Sequence, residues 1–343
     1  MAHKVTLMAG DGIGPDVIES AVRCIRAAGV DVKWDVQVVG EAARKRHGAP
    51  MPEHAISSIK KNRVALKGPI TTPVAEGFRS VNVALRQSLE LFANVRPVKT
   101  YPNVKSVHKN IDIVVIRENT EDLYSGIEYE NRSSDLKKLI KFIQETNGTK
   151  LRADTGISIK AISEYATKRI AKFAFEYSVK NRRKKITAVH KANIMKFSDG
   201  LFLSASRYVA KRYGKIKFED RIVDNMCMQL AEDPAQFDVI LCPNLYGDIV
   251  SDLCAGLAGG LGLAPSANIG HHYAVFEPVH GSAPKYAGKN KVNPSAAILS
   301  GVMMLRHINE HKAANAIEKA TTSVLKDGKH LTYDIAVRKP VGT

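Results

Sequence analysis

Two adjacent stretches of sequence constrain the fold most strongly: the apolar run Phe237-Asp-Val-Ile-Leu-Cys242, and Asn244-Leu-Tyr-Gly-Asp-Ile-Val-Ser-Asp252 directly after it. An apolar run of this length is typical of a buried strand. Pro243 and Gly247 predict a turn, and the spacing over 248–257 predicts a helix. A strand that leads through a short turn into a helix is the repeating unit of α/β proteins.

Asp248 and Asp252 are four residues apart, so a helix would place both carboxylates on one face. Like charges in that arrangement repel each other unless a cation lies between them. Mg²⁺ and Mn²⁺ prefer carboxylate oxygens as ligands. The alternative is two solvated aspartates near a helix N-terminus, where the helix dipole favours acidic residues. Spacing alone does not separate the two interpretations.

Predicted strands and helices alternate along the rest of the chain. Apolar patterns predict strands at 5–8, 64–68 and 111–116, and helical spacing predicts helices at 159–179 and 220–231. We detect no internal repeat and no low-complexity linker. The alternation of strands and helices predicts the α/β class.

A glycine-rich loop follows the first predicted strand. Gly10-Asp-Gly12-Ile-Gly14 opens a helix, as the dinucleotide-binding fingerprint does, but Pro15 occupies the position of the third glycine of that fingerprint. The ordinary Rossmann interpretation is therefore rejected. We expect these glycines to let the loop turn sharply and lie close to a ligand or to another backbone segment.

The bulk composition is that of a globular protein. The chain has 343 residues, 44% of them hydrophobic, and no apolar run approaches the length of a membrane span. The four cysteines follow no metal-binding spacing, which predicts free thiols in a reducing compartment; they are Cys24, Cys227, Cys242 and Cys254. No targeting segment is visible, so we expect a cytoplasmic protein, or a mitochondrial matrix protein if the sequence is a processed form.

The net charge of +17 raises the question of nucleic-acid binding. The basic residues are dispersed, however, and aromatic residues make up only 6% of the chain. The densest basic run, 180–185, lies where a predicted helix ends. A basic surface also attracts small polyanionic substrates, and we favour that interpretation over nucleic acid.

Four separated segments resemble the β-decarboxylating dehydrogenases, the family that includes isocitrate and 3-isopropylmalate dehydrogenases. The similarity runs in order along nearly the whole chain. The segments are Lys67-Gly-Pro-Ile-Thr-Thr-Pro73, Arg117-Glu-Asn-Thr-Glu-Asp-Leu-Tyr124, His190-Lys-Ala-Asn-Ile-Met-Lys196, and Asn244–Asp252 with the downstream His280-Gly-Ser-Ala-Pro284.

The resemblance implies an isocitrate/isopropylmalate dehydrogenase-like fold, in which two α/β domains share a continuous core sheet. Residues 1–92 and 259–343 would form a large cofactor-binding domain. Residues 93–258 would form a small domain for substrate, metal and dimerisation. Within it, a segment at about 125–180 resembles the family's clasp, which joins two subunits.

Within the family, Ser80-Val-Asn82-Val-Ala-Leu-Arg86 resembles the isocitrate-specific members. Isocitrate carries an additional carboxylate, which requires hydroxyl, amide and guanidinium donors, whereas an isopropyl group would require apolar side chains. Arg96 and Arg117 are further planar donors for carboxylates. The alternatives are 3-isopropylmalate, homoisocitrate and tartrate dehydrogenases.

The resemblance also implies the catalytic and metal-binding residues. Asp248 and Asp252, with Asp224 of a second subunit, would hold Mg²⁺ or Mn²⁺. Lys191, also of the second subunit, would take part with Asp224 in deprotonating the substrate hydroxyl. Tyr124 would protonate the enol carbon after decarboxylation. The protein would then be a homodimer with shared active sites. The presence of all these residues argues against a non-catalytic regulatory subunit.

The segment from His280 to Gly288 resembles the family's adenosine-binding loop. NAD-using members commonly carry an aspartate where this chain has Lys285; Lys285 and Tyr286 would instead suit the 2′-phosphate of NADP. We predict NADP, with NAD as the alternative, although Val337 stands where bacterial NADP enzymes have an arginine. The residues implied in cofactor binding are Thr72, Asn193, His280, Gly281, Lys285, Tyr286, Asn293 and Tyr333.

Overall fold

The computed structural model describes residues 2–71 and 80–337, so the predicted cofactor residue Thr72 lies outside the described residues. The strands are β1 (His3–Met8), β2 (Val32–Val36), β3 (Val64–Lys67), β4 (Ala93–Lys99), β5 (Asp112–Glu118), β6 (Glu128–Tyr129), β7 (Ile157–Ser158), β8 (Lys185–His190), β9 (Lys217–Ile222), β10 (Val239–Cys242), β11 (Pro265–Ile269) and β12 (Ala274–Pro278).

Helices cover both faces of the main sheet. The helices of the described residues are α1 (Gly14–Ala27), α2 (Glu41–His47), α3 (Glu53–Asn62), α4 (Val81–Ser88), α5 (Ser134–Asn147), α6 (Glu164–Lys180), α7 (Ser198–Ala210), α8 (Val223–Glu232), α9 (Asn244–Ala258), α10 (Ser295–His307) and α11 (His311–Asp327). Among the described residues, no helix is long and apolar enough to cross a bilayer.

In the described residues, ten strands form one sheet in the order β2-β1-β3-β12-β11-β4-β5-β10-β8-β9. The strands at each end pair in parallel, and the central β12-β11-β4-β5 pairs are antiparallel. The predicted α/β class is confirmed, with a mixed sheet. Strands from the predicted large domain occupy one half of the sheet, and those from 93–258 occupy the other. The domain boundaries themselves stay a prediction.

The strand β5 shows why the sheet is buried on both faces. Val114 and Ile116 pack in a cluster with α1, α6 and α10, whereas Ile113 and Val115 pack in a second cluster with α8 and α9. Successive side chains of a strand point to opposite faces, so a continuous apolar run matches a sheet that is covered by helices on both sides.

The glycine-rich loop lies against two other backbone segments. A Cβ on Gly10 would lie 2.1 Å from the Pro69 carbonyl oxygen, and one on Gly12 would lie 2.0 Å from the Ser282 carbonyl oxygen. Both glycines also have positive φ angles, 78° and 58°. The Ile13 N–H donates to the Ser282 oxygen at 2.9 Å. These glycines therefore join β1 to the loop after β12.

Two local predictions are wrong. The predicted turn at Pro243–Gly247 is the first turn of α9, which begins at Asn244. A Cβ on Gly247 would lie 2.5 Å from Arg117 Cγ, so this residue admits the Arg117 side chain. The helix predicted over 220–231 begins only at Val223; the preceding residues form β9, because they pair with β8 in the sheet.

Candidate active site

The strands β4 and β5 and the helix α9 bring two arginines to two aspartates. The Arg117 guanidinium hydrogen-bonds Asp248 through Nη1 and Asn244 Oδ1 through Nε, the latter at 2.8 Å. Arg96 Nη2 is 3.2 Å from Asp248 Oδ1, and its Nη1 is 3.3 Å from Asp252 Oδ1. The predicted residues Arg96, Arg117, Asp248 and Asp252 therefore form one cluster.

The charges in this cluster are set by burial and by each other. Burial, helped by the nearby Arg96, lowers the pKa of Arg117 to about 10, so the guanidinium stays charged at neutral pH. Burial opposes ionisation of Asp248, but Arg117 and Arg96 outweigh it and hold its pKa below the usual value. Burial raises the pKa of Asp252, an effect that Arg96 only partly offsets. Asp248 is the firmly ionised member of the aspartate pair.

Several polar atoms in and beside the cluster are buried and have no hydrogen-bond partner among the described residues: Arg117 Nη2, Arg86 Nε and Asn82 Oδ1. A buried donor without a partner costs roughly 1–3 kcal/mol. Two unsatisfied guanidinium nitrogens fit the oxygens of a carboxylate ligand. Both Asn82 and Arg86 lie on α4, which Ser80 immediately precedes.

Tyr124 belongs to a 3₁₀ turn, Asp122–Ser125, just after β5. Its hydroxyl donates to Asp248 Oδ2 at 2.5 Å, and the Arg117 guanidinium lies 4.8 Å from its ring centroid. Burial and the contact with Asp248 raise its pKa. The Tyr124 hydroxyl is therefore a proton donor at neutral pH.

The fit of a divalent cation rests on the aspartates. Asp248 and Asp252 present carboxylate oxygens from one face of α9, as a hard cation requires. Within residues 2–71 and 80–337, no group of three or more His, Cys, Asp or Glu residues could hold a metal ion. One chain thus brings together two of the three predicted ligands.

The third predicted ligand, Asp224, is the second residue of α8, and its carboxylate pairs with Lys191 Nζ. Lys191 follows β8, and its backbone N–H donates to Asp199 Oδ2 at 2.6 Å. The pair with Lys191 lowers the pKa of Asp224, so the carboxylate is ionised. The predicted proton-transfer pair is therefore formed within one chain, with the Asp224 side chain exposed.

Three predicted residues of the adenosine side lie together. Lys285 Nζ is 4.9 Å from the Tyr286 ring centroid, and the Tyr286 and Tyr333 rings are 6.0 Å apart. Asn293 Nδ2 donates to Asp334 Oδ2 at 3.3 Å.

His280 and the exposed Gly281 precede Lys285 and Tyr286 in the same loop. Burial lowers the pKa of His280, and its Nε2 is buried without a partner among the described residues. An unsatisfied imidazole nitrogen in one loop with a lysine and a phenol fits a phosphate-bearing adenosine. Asn193 is exposed in the turn after β8, and no contact in the described part of the chain joins it to this group.

Sequence reasoning did not single out the buried polar residues beneath the cluster. Glu277 accepts from Lys67 Nζ, from Arg86 Nη2 at 3.2 Å and from Asn268 Nδ2 at 2.9 Å. Burial disfavours its ionised form, but Lys67 and Arg86 dominate and lower its pKa to about 2. The signal that could have identified Glu277 is its position as a lone glutamate in the apolar strand Ala274–Pro278.

Comparisons with known proteins identify the family that the chain resembles. The family model described as isocitrate/isopropylmalate dehydrogenase matches residues 4–343. The NADP isocitrate dehydrogenase of Archaeoglobus fulgidus is 46% identical over 95% of this chain and 86% of its own length.

A second relative and a solved structure have a similar level of identity to this chain. A mitochondrial regulatory subunit of the NAD isocitrate dehydrogenase of Dictyostelium discoideum is 48% identical over 97% of this chain and 87% of its own length. The crystal structure of isocitrate dehydrogenase from Methylococcus capsulatus superposes with a TM-score of 0.91, at 47% identity, covering 99% of this chain and 96% of that one.

Proposed function

This chain belongs to the isocitrate/isopropylmalate dehydrogenase family, and we propose that it catalyses the metal-dependent oxidative decarboxylation of isocitrate to 2-oxoglutarate with reduction of NADP. The observation that carries the choice of substrate is the arginine set. Arg86, Arg96 and Arg117 converge, and two of their guanidinium nitrogens are unsatisfied among the described residues. A tricarboxylate matches such a set better than an acid with an isopropyl group.

The proposed roles follow the chemistry of each side chain. The three arginines, with Ser80 and Asn82, hold the carboxylates and orient the hydroxyl-bearing carbon toward the nicotinamide. Lys191 and Asp224 accept the hydroxyl proton, and the carbon-bound hydrogen leaves as hydride to the nicotinamide ring. Tyr124, a proton donor at neutral pH, protonates the carbon that has lost carbon dioxide.

A divalent cation, Mg²⁺ or Mn²⁺, would be held by Asp248 and Asp252 with Asp224 of a second copy, and would stabilise negative charge on the substrate oxygens. Arg117 and Arg96 hold the pKa of Asp248 below its usual value, and Arg96 also contacts Asp252. The described part of one chain lacks a third metal-ligating side chain at this point, which supports a contribution from a second copy.

Exposed apolar side chains support a homodimer with shared active sites. Ile194 and Phe197 are 69% and 94% exposed and follow Lys191 closely. Met228, 53% exposed, shares a helix face with Asp224. Ile249, 51% exposed, adjoins Asp248. Apolar surface of this kind at three proposed catalytic positions fits burial against another copy of the chain.

The proposed clasp at about 125–180 contains the antiparallel pair of β6 and β7, in which Glu128 is opposite Ser158. A short two-stranded ribbon is marginally stable by itself, so pairing with the same ribbon of a second copy would stabilise it. The free cysteines fit a reducing compartment such as the cytoplasm or the mitochondrial matrix.

NADP is proposed over NAD because Lys285, Tyr286 and Tyr333 form one group, with His280 in the same loop as the first two. A cation and two phenols provide donors for a 2′-phosphate. The relatives described above include both an NAD and an NADP isocitrate dehydrogenase, so the preference rests on these side chains.

The test is a spectrophotometric assay of the purified chain with Mn²⁺, in which isocitrate, 3-isopropylmalate, homoisocitrate and tartrate are each supplied with NADP or NAD. We expect reduction of NADP with isocitrate only, with one carbon dioxide released for each NADPH. Faster turnover of another acid would contradict the substrate assignment. No turnover of any acid by the purified chain would favour a regulatory subunit.

A further inference from the structure

A continuous line of buried hydrogen bonds crosses the centre of the sheet beneath the candidate active site. Its members are Glu277 on β12, Asn268 on β11, and Asn94 and Arg96 on β4, and each is at most 6% exposed. These strands are neighbours, and the strand period of two places the four side chains on the face opposite Val95, Ala267 and Phe276. The line joins the two halves of the sheet.

The contacts are short throughout. Arg96 Nε donates to Asn94 Oδ1 at 2.7 Å, Asn94 Nδ2 donates to Asn268 Oδ1 at 2.9 Å, and Asn268 Nδ2 donates to Glu277 Oε1 at 2.9 Å. Each hydrogen bond of the line is donated in the direction from Arg96 to Glu277. We name this line of four side chains the amide relay.

The chemistry of its ends fixes the direction of the amide relay. The pKa of Glu277 is about 2, so its carboxylate only accepts hydrogen bonds. A guanidinium only donates. Each asparagine between them must therefore present its NH₂ toward Glu277 and its oxygen toward Arg96. Turning either amide over would set two donors or two acceptors against each other in a buried site, a loss of roughly 1–3 kcal/mol per unsatisfied group.

The two ends of the amide relay contact different parts of the candidate site. Arg96 also donates to Ser251 Oγ at 2.7 Å and pairs with both aspartates of α9. Glu277 pairs with Arg86 and Lys67. Among the described residues, Asn268 hydrogen-bonds none of the proposed substrate or metal residues. Its remaining hydrogen bonds there are with Asn119 Nδ2 and the Val275 carbonyl oxygen, at 3.1 and 3.3 Å.

We propose that Asn268 is a positioning residue for the substrate-binding arginines: it holds Arg96 through Asn94, and Arg86 through Glu277, in the orientation that receives the substrate carboxylates. This inference rests on the proposed function, since it assigns those carboxylates to isocitrate. It adds a residue outside the binding site to the determinants of substrate affinity.

The test compares Asn268→Leu, which keeps the approximate volume and removes both hydrogen-bonding groups, with the wild-type protein. We expect the KM for isocitrate to rise at least about tenfold, the scale of one lost charge-oriented contact, while kcat and the KM for NADP stay within about threefold. Asn94→Leu should have the same effect. The double variant should be no worse than the more affected single variant, because both substitutions interrupt one line.

The control is Thr6→Val on β1. Thr6 is equally buried in the same sheet, and its hydroxyl bonds Ser58 Oγ at 2.7 Å and accepts from Asn62 Nδ2 at 2.9 Å. Among the described residues, it makes no hydrogen bond with the arginines. The Thr6→Val variant should have a lower melting temperature, as we also expect for Asn268→Leu, but an unchanged KM for isocitrate. If Asn268→Leu does not fold, Asn268→Ser, which retains a smaller polar group, replaces it in the same comparison.

Several results would overturn the proposal. These are an unchanged KM for isocitrate in Asn268→Leu, equal increases in the KM values for isocitrate and NADP, and additive effects of the two asparagine substitutions. A crystal structure of Asn268→Leu gives a readout that does not depend on turnover: an Arg96 side chain that keeps its contacts with Asn94 and Ser251 would also refute it. If the proposed function is wrong, the wild-type protein itself will not oxidise isocitrate. That result is distinct from a failure of the proposal for Asn268.

Discussion

Tyr124 and Asp248 are joined by a 2.5 Å hydrogen bond from the phenol to the carboxylate, and this contact places a proton donor beside a proposed metal ligand. The carboxylate raises the pKa of the phenol further after burial has already raised it. Tyr124 therefore keeps its proton at neutral pH, as the proposed protonation of the enol carbon requires.

Replacing Tyr124 by Phe should reduce kcat at least about a hundredfold, the usual contribution of a general acid. The KM for isocitrate should change little, because the substituted group acts after binding. Steady-state kinetics with isocitrate and NADP measure both values. Tyr208→Phe, at a tyrosine that is 47% exposed, is the control and should retain full activity. A Tyr124→Phe variant with wild-type kcat would remove the residue from the mechanism.

Gly247→Ala should disturb substrate binding through Arg117. The added methyl would lie 2.5 Å from Arg117 Cγ and 2.6 Å from its Cβ, so the buried Arg117 side chain must move. We expect the KM for isocitrate to rise at least about tenfold. Gly256→Ala on the same helix is a matched control, since its added methyl meets nothing within 4 Å; this substitution should stabilise the protein by about 0.5–1 kcal/mol. Equal kinetics of the two variants would contradict this account.

Glu277→Gln should change the pH dependence of stability. The folded-state pKa of Glu277 is about 2, below the ordinary value of about 4.3. At pH values above about 4.3, its ionisation should therefore stabilise the fold by roughly 3 kcal/mol. This contribution is lost as the pH falls from about 4.3 toward 2. In urea titrations at pH 6, the free energy of unfolding of the wild type should exceed that of Glu277→Gln. The difference between the two free energies should be smaller at pH 3.

The control for that experiment is Glu41→Gln, at a surface ion pair with Arg44. Exposed pairs contribute little to stability, so this variant should follow the wild type at both pH values. A stability difference between wild type and Glu277→Gln that stays constant from pH 6 to pH 3 would show that the carboxylate of Glu277 is not held ionised by Lys67 and Arg86.

The double substitution Lys285→Asp with Tyr286→Ile should move cofactor preference from NADP toward NAD. An acidic side chain can accept from ribose hydroxyls and repels a 2′-phosphate. The measurement is the ratio of kcat/KM for NADP to that for NAD, which should fall at least about a hundredfold, the combined scale of a lost attraction and a new repulsion. Lys289→Asp in the same loop is the charge control. An unchanged ratio in the double variant would exclude this group from cofactor selection.

Local sequence patterns predicted much of the architecture, whereas most residues of the cluster were identified through the resemblance to a family. The strands β1, β3, β5 and β10 are short apolar runs, and α6 has amphipathic spacing, so periodicity alone predicts them. Asp248 and Asp252 share one face of α9, as their spacing predicts, although the first residues of the segment Asn244–Asp252 are helical and not a turn.

The missed features depend on pairing between distant segments. Residues 220–222 were predicted to begin a helix, but they end the strand β9 because β8 lies beside them in the sheet. Asn94 and Asn268 are 174 residues apart, and each looks like an isolated polar residue in an apolar strand. No local pattern reveals that their amides meet, since the order of strands in the sheet decides it.

The central claim is that Arg96, Arg117, Asp248 and Tyr124 of one chain form an active site with Lys191 and Asp224 of a second copy. The most direct measurement mixes two inactive variants, Tyr124→Phe and Lys191→Met, by co-expression. In a symmetric dimer with shared sites, half of the mixed population is heterodimeric and has one intact site of two, so about a quarter of wild-type activity should return. Activity that stays at the level of the separate variants would contradict the claim.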